Sequence, residues 1–126
     1  MDYARRLLKG KSYSQDDLIP LLVLVIKSLG GIARKSYVDE KMYDLLSSEF
    51  SKDVYLETVS HNVPRWKHDI AWAKERARQH HDYIKSAEEA GRGFWELTDL
   101  GKEFANKLIK KLEASVKVIR RRKNIT

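Results

Sequence analysis

Between Pro64 and Asp82 the chain sets Arg65, Lys67, Lys74, Arg76 and Arg78 among aromatic and small apolar residues, a composition suited to a helix that meets phosphate along one edge. Turning Trp66, Ile70, Ala73 and Ala77 inward, at about 100° per residue, brings Lys67, Lys74 and Arg78 onto one flank as candidate phosphate contacts. His68, Ala71, Glu75 and Gln79 then occupy the outermost face, from which His68 and Gln79 could reach base edges. A glutamine amide is suited to that role because it pairs with adenine in the major groove. A plainer reading stands beside this one: Arg65, Asp69, Glu75 and Arg76 offer neighbouring charge pairs that would make an ordinary solvated helix. Trp72 falls off the buried stripe and is expected under a β-loop or against the N-terminal arm, not as an exposed stacking surface.

Two further cationic features lie downstream. Arg92, between Gly91 and Gly93, is placed to enter a narrow minor groove, although Glu88 and Glu89 on the same loop would repel phosphate. The chain carries a net charge of +7, and residues 102–126 hold nine Lys/Arg against Glu103 and Glu113, so the first 101 residues balance. Any long-range pull on a polyanion is therefore expected from the C-terminal end. Lys102, Lys107, Lys110 and Lys111 are equally readable as a solvated helix face. The run Arg120, Arg121, Arg122 and Lys123 is read as a frayed tail or a surface kept for an anion, and its arginines join the candidate DNA contacts.

Near this tail, Ala105, Ile109, Leu112, Val116 and Ile119 repeat at the spacing of a coiled-coil seam, beside a Leu100, Phe104 and Leu108 face expected to complete the core. The seam is read as a homodimer interface, with packing against the Tyr3–Leu8 arm as the alternative. A two-fold dimer would offer two reading helices to half-sites roughly 34 Å apart.

Other chemistry is not expected. There is no cysteine, so disulfides, thiolate metal sites and a cysteine nucleophile are excluded, and a reducing compartment such as the cytoplasm fits. His61, His68, His80 and His81 form no i, i+4 pair of the helical zinc type. No phosphate-loop glycine pattern, nucleophile elbow or poised carboxylate pair is present, so the chain is read as a non-enzyme without metal, cofactor or small-molecule ligand. The longest apolar run, Leu18 to Ile26, is broken by Pro20 and is far shorter than the roughly 20 residues of a membrane span. No signal-peptide pattern opens the chain.

With 126 residues, 42% hydrophobic and 34% charged, the chain fits one domain with its own core. Ser14, followed by Asp16 and Asp17, caps a helix whose Leu18, Leu21, Leu22, Val25 and Leu29 form a buried face. Pro20 is placed near enough to its start to cost no hydrogen bond, and Gly30-Gly31 stop it. Ser36, with Asp39 three residues on, is expected to open a second helix that ends near Phe50. A connector with one helical turn covers 51–63, and Pro64 precedes the helix from Arg65 to His81. Tyr83–Ala87 and Phe94–Leu97 read as a hairpin around Gly91-Arg92-Gly93, and Thr98 caps a long final helix. The fold class expected is mainly α with a small β-hairpin: an arm at 1–13, a winged helix-turn-helix at 14–101, an extended helix at 98–119 and a basic tail at 120–126.

The residues Ile70-Ala71-Trp72-Ala73, Tyr83-Ile84 and Gly91-Arg92-Gly93-Phe94-Trp95-Glu96-Leu97-Thr98-Asp99-Leu100-Gly101 resemble the N-terminal domain of Mrr-type restriction proteins. The resemblance covers Ile70 to Leu108 and implies a winged helix that binds DNA, often joined to a nuclease domain. His80-His81-Asp82 departs from the family's small-residue turn. After Thr126 no residues remain for a nuclease, so restriction activity is not expected to carry over. The function expected is double-stranded DNA binding, most simply by a dimeric transcriptional regulator. The alternatives are a protein-interaction module using the C-terminal helix, or a separate DNA-recognition subunit of a restriction-like system.

Overall fold

The computed structural model describes residues 14–59 and 62–125, with side chains described as far as Ala114. The chain runs through α1 (Gln15–Ser28), β1 (Ile32–Arg34), α2 (Lys35–Phe50), α3 (Asp53–Leu56), α4 (Arg65–His81), α5 (Ala87–Ala90), β2 (Phe94–Glu96) and α6 (Asp99–Ile125). It is mainly helical, with one two-stranded antiparallel sheet. Among the described residues no helix is long and apolar enough to cross a membrane.

At the start of α1 the capping is reciprocal: Asp17 N–H donates to Ser14 Oγ at 3.2 Å, and Ser14 N–H donates to Asp17 Oδ2 at 3.2 Å. Pro20 lies inside the helix, beyond the positions whose N–H groups lack partners, so one helical bond is forgone there, contrary to the expectation that it would cost none. The burial is also wider than one face. Ile19, Val23, Leu24 and Ile26 are covered along with Leu18, Leu21, Leu22 and Val25, while Leu29 is exposed. A helix apolar on all sides belongs inside, and α1 packs against α2, α4 and α6.

The glycine pair after α1 turns the chain with φ of 102° at Gly30 and 89° at Gly31. Gly31 N–H returns to the Ile26 carbonyl at 2.9 Å, and its own carbonyl accepts Leu97 N–H at 2.9 Å. This turn delivers β1 to β2, with Ile32 opposite Glu96, Ala33 opposite Trp95 and Arg34 opposite Phe94. The pairing corrects the expected hairpin. Of the segment 83–87, only Ile84 forms a bridge, with Leu97, and Lys85 N–H donates to the Glu96 carbonyl at 2.9 Å. Ser86 then caps the short helix α5, its hydroxyl accepting from Glu89 N–H at 3.3 Å.

Helix α2 begins at Lys35, one residue before the expected start, and Arg34 provides no side-chain cap. Asp39 is buried instead and takes its bond from Lys35. At the other end of α2, Phe50 is fully buried and stacks on Trp66 with centroids 5.6 Å apart; Tyr43 and Tyr55 complete this aromatic cluster. It anchors the first turn of α4.

Candidate nucleic-acid interface

Helix α4 is the element on which the sequence-based site rests, and its inner stripe is as expected. Ile70, Ala73 and Ala77 are buried, and Trp66 packs partly buried against the core. Asp82 ends the helix in the left-handed conformation at φ 55°. Its N–H and that of Tyr83 both return to the Ala77 carbonyl.

A lock built from the Leu97 to Gly101 stretch fixes this end. Thr98 N–H donates to the Tyr83 carbonyl at 3.0 Å, Thr98 Oγ1 donates to the Asp82 carbonyl, and Gly101 N–H donates back to Thr98 Oγ1 at 3.0 Å. Tyr83 lies between His81, at 5.0 Å, and Phe104, at 4.4 Å, in a three-ring stack. His80 and His81 are both solvent-exposed, whereas a helical projection alone would wet only one.

The cationic flank divides. Lys67 is exposed and makes no direct ion pair among the described residues. Lys74 is only 7% exposed, which removes it from the phosphate contacts expected on the outer edge. The cause is the β1–β2 pairing, which draws Trp95 over the flank: Lys74 Nζ lies 5.9 Å from the indole centroid and 3.2 Å from Glu75 Oε1. The aliphatic stem is covered while the ammonium keeps an anion and a π-face. From α2, Lys35 Nζ approaches the same indole at 5.6 Å.

Arg78 is half-buried and held by Glu75 at 2.8 Å. The guanidinium hydrogen bond, aided by Lys74, keeps the Glu75 carboxyl below its ordinary range in spite of some burial. Asp39, 3% exposed, is shifted the other way: burial pushes its carboxyl up, against the pull of Lys35 and of Lys67 across the helix interface. Its Oδ1 has no hydrogen-bond partner.

On the outermost face Gln79 is exposed and His68 half-buried. Trp72 is 47% exposed, with His68 edge-on at 6.2 Å, so the indole is not tucked under the sheet as expected. The proposed N-terminal arm partner lies outside the described residues. Beside Trp72, Arg76 clasps the start of α1, its Nε 3.1 Å from Gln15 Oε1 and its Nη1 3.4 Å from Asp16 Oδ1. Arg65 pairs with Glu57 at 3.3 Å. Four of the five Arg/Lys side chains of α4 thus already hold an acid of this chain.

Arg92 is exposed in its turn, and the neighbouring Gly93 carbonyl accepts Lys35 N–H at 2.9 Å, seating the turn beside the start of α2. Exposed Arg34, with its guanidinium 5.6 Å from the Phe94 ring centroid, lies on the same small sheet. Sequence reasoning passed over it because three residues of β1 show no period.

The seam expected to join two copies is largely spent within the chain. Ala105 is fully buried and Leu112 9% exposed, both in the core that α6 shares with α1, and Ile109 packs against that core. Leu100, expected inside, is 50% exposed, because the lock at Gly101 turns the other side of the helix inward. The side chains of Val116, Ile119, Arg120, Arg121 and Arg122 lie outside the described ones, and the backbone there is helical to Ile125. Among the described residues no group of three His, Cys, Asp or Glu is arranged to hold a metal. No protein-family model, curated protein or solved structure matches the chain.

Proposed function

We propose that this chain binds double-stranded DNA through a winged helix-turn-helix in which α4 is the reading helix, acting most simply as a transcriptional regulator. The observation that carries the reading is the placement of α4. Its inner stripe is buried, its outer face offers His68, Trp72 and Gln79 together, and the β1–β2 sheet with the Arg92 turn flanks it. Apart from the one-turn helices α3 and α5, the elements run helix, strand, helix, helix, bridge, strand, helix, an order that supports the winged-helix reading.

On this reading Lys67, Arg92 and Arg34 supply phosphate contacts, while Gln79 and His68 reach base edges and Trp72 meets thymine methyl groups. Lys74 instead braces α4 against Trp95 of the sheet, and Lys74 and Arg78 together neutralise Glu75. Dimerisation, if two copies read a two-fold site, rests on the spacing of Val116 and Ile119 past Leu112, since the earlier part of the seam is occupied. Selection from a pool of random duplexes tests the assignment. The wild-type chain should enrich a defined sequence, and His68→Ala or Gln79→Ala should enrich a different one. Enrichment of nothing by the wild type would exclude sequence reading by this face.

The pairing of most α4 cations with acids of the chain favours a second reading, a protein-interaction module in which α4 is scaffold. A monomeric chain that shows no salt-dependent duplex binding would favour it.

A further inference from the structure

Among the described residues, α6 carries a group of exposed lysines without ion pairs, whereas on the reading helix Lys67 alone is unpaired. Lys102, Lys107, Lys110 and Lys111 of α6 are all exposed, and none makes an ion pair among the described residues. Over the same stretch Gly101, Ala105 and Leu112 face the core, so Lys107 and Lys110 stand on the opposite side of the helix with Glu103 between them, and Lys102 and Lys111 border that side on its two flanks. Helix α1, covered along its length, has α4 and α6 both packed on it, which gives the two helices separate outward surfaces.

We infer that the lysine face of α6 is a second, sequence-independent contact for the phosphate backbone of duplex DNA, so that one chain holds two duplex segments. The inference rests on the DNA-binding reading of α4 for the first segment. Charge complementarity names the occupant: four exposed ammonium groups that outnumber Glu103 and Glu113 on the same helix, and form no ion pair with them, attract a polyphosphate and discriminate no base. An anionic membrane is the poorer match, because a helix that lies in a bilayer surface needs its apolar side free, and here that side is built into the core.

A capture assay tests it. One duplex carrying the selected sequence is immobilised, the full chain is added at low salt, and a labelled duplex of unrelated sequence is offered. The wild type should retain the labelled duplex, and the combined Lys102→Gln, Lys107→Gln, Lys110→Gln and Lys111→Gln variant should retain at least tenfold less of it while still binding the first. These side chains are exposed, and a circular dichroism spectrum like that of the wild type shows that the variant is folded. Retention by the variant equal to that of the wild type would overturn the inference, and would instead fit two α4 helices of a dimer holding the two duplexes. Failure of the wild type to retain the second duplex, or binding to vesicles with anionic lipid in its place, would overturn it too. Weaker binding of the first duplex by Lys67→Ala and Gln79→Ala, but not by the lysine variant, keeps a failure of this inference separate from a failure of the α4 reading.

Discussion

The Tyr83 carbonyl oxygen stands where a side chain at Gly101 would begin: a β-carbon placed on Gly101 would lie 2.1 Å from it. The approach is between backbones, so neither partner can swing aside. Through it the first turn of α6 is pressed onto the end of α4, with Thr98 bonded to both Asp82 and Tyr83. Gly101→Ala should therefore lower stability by about 3 kcal/mol, as overpacking against a fixed neighbour does. Asn106→Ala, on the exposed side of the same helix, should change it by no more than about 0.5 kcal/mol. Urea unfolding followed by circular dichroism measures both, and equal midpoints would contradict the close approach.

Thr98 acts on the same joint through its hydroxyl, which donates to Asp82 and accepts from Gly101. Thr98→Val keeps the shape and removes both bonds, for an expected loss of about 1–2 kcal/mol. Thr98→Ser should recover most of it in the same unfolding experiment.

Burial of Asp39 gives stability a pH dependence of known sign. Its folded-state pKa lies above the ordinary 3.8, so its favourable contribution is full below that value and is lost as pH rises through the raised one. Asp39→Asn should gain on the wild type as pH increases across that window. Glu75, depressed chiefly by Arg78, works in reverse: its contribution is present above 4.5 and disappears as pH falls through the lowered value. Unfolding midpoints of Asp39→Asn and Glu75→Gln against pH should diverge from wild type at opposite ends of the acid range.

The stripe of α4 was legible in the sequence because Trp66, Ile70, Ala73 and Ala77 repeat over about three turns, and so was the capping of α1, where Ser14 and Asp17 satisfy each other locally. What could not be read was non-local. Nothing in Ile32-Ala33-Arg34 announces a strand, and without β1 there is no way to know that Trp95 covers Lys74. Similarly, Leu100, Ala105 and Leu112 carry no sign of which side of α6 faces in. That is set by the backbone contact at Gly101, which no hydrophobic period records.

Lys74 and Lys67 should consequently behave differently, although they lie two turns apart on one helix. Lys74→Ala uncovers Trp95 and leaves Glu75 with Arg78 as its one ion-pair partner among the described residues, so it should destabilise the fold by about 1–2 kcal/mol and leave the preferred DNA sequence unchanged. Lys67→Ala should leave the unfolding midpoint within about 0.5 kcal/mol of wild type and act on binding alone.

Fluorescence anisotropy titration of a labelled duplex at several salt concentrations, with the wild type, Lys67→Ala and Gln79→Ala, bears most directly on α4 as a DNA-reading helix. The wild type should bind with an affinity that falls steeply with salt, and Lys67→Ala should reduce the slope of log affinity against log salt by about 0.9, the loss of one phosphate contact. Gln79→Ala should keep the slope and reorder the preferred duplexes. Unchanged slope and unchanged preference in both variants, or no duplex binding by the wild type at low salt, would contradict it.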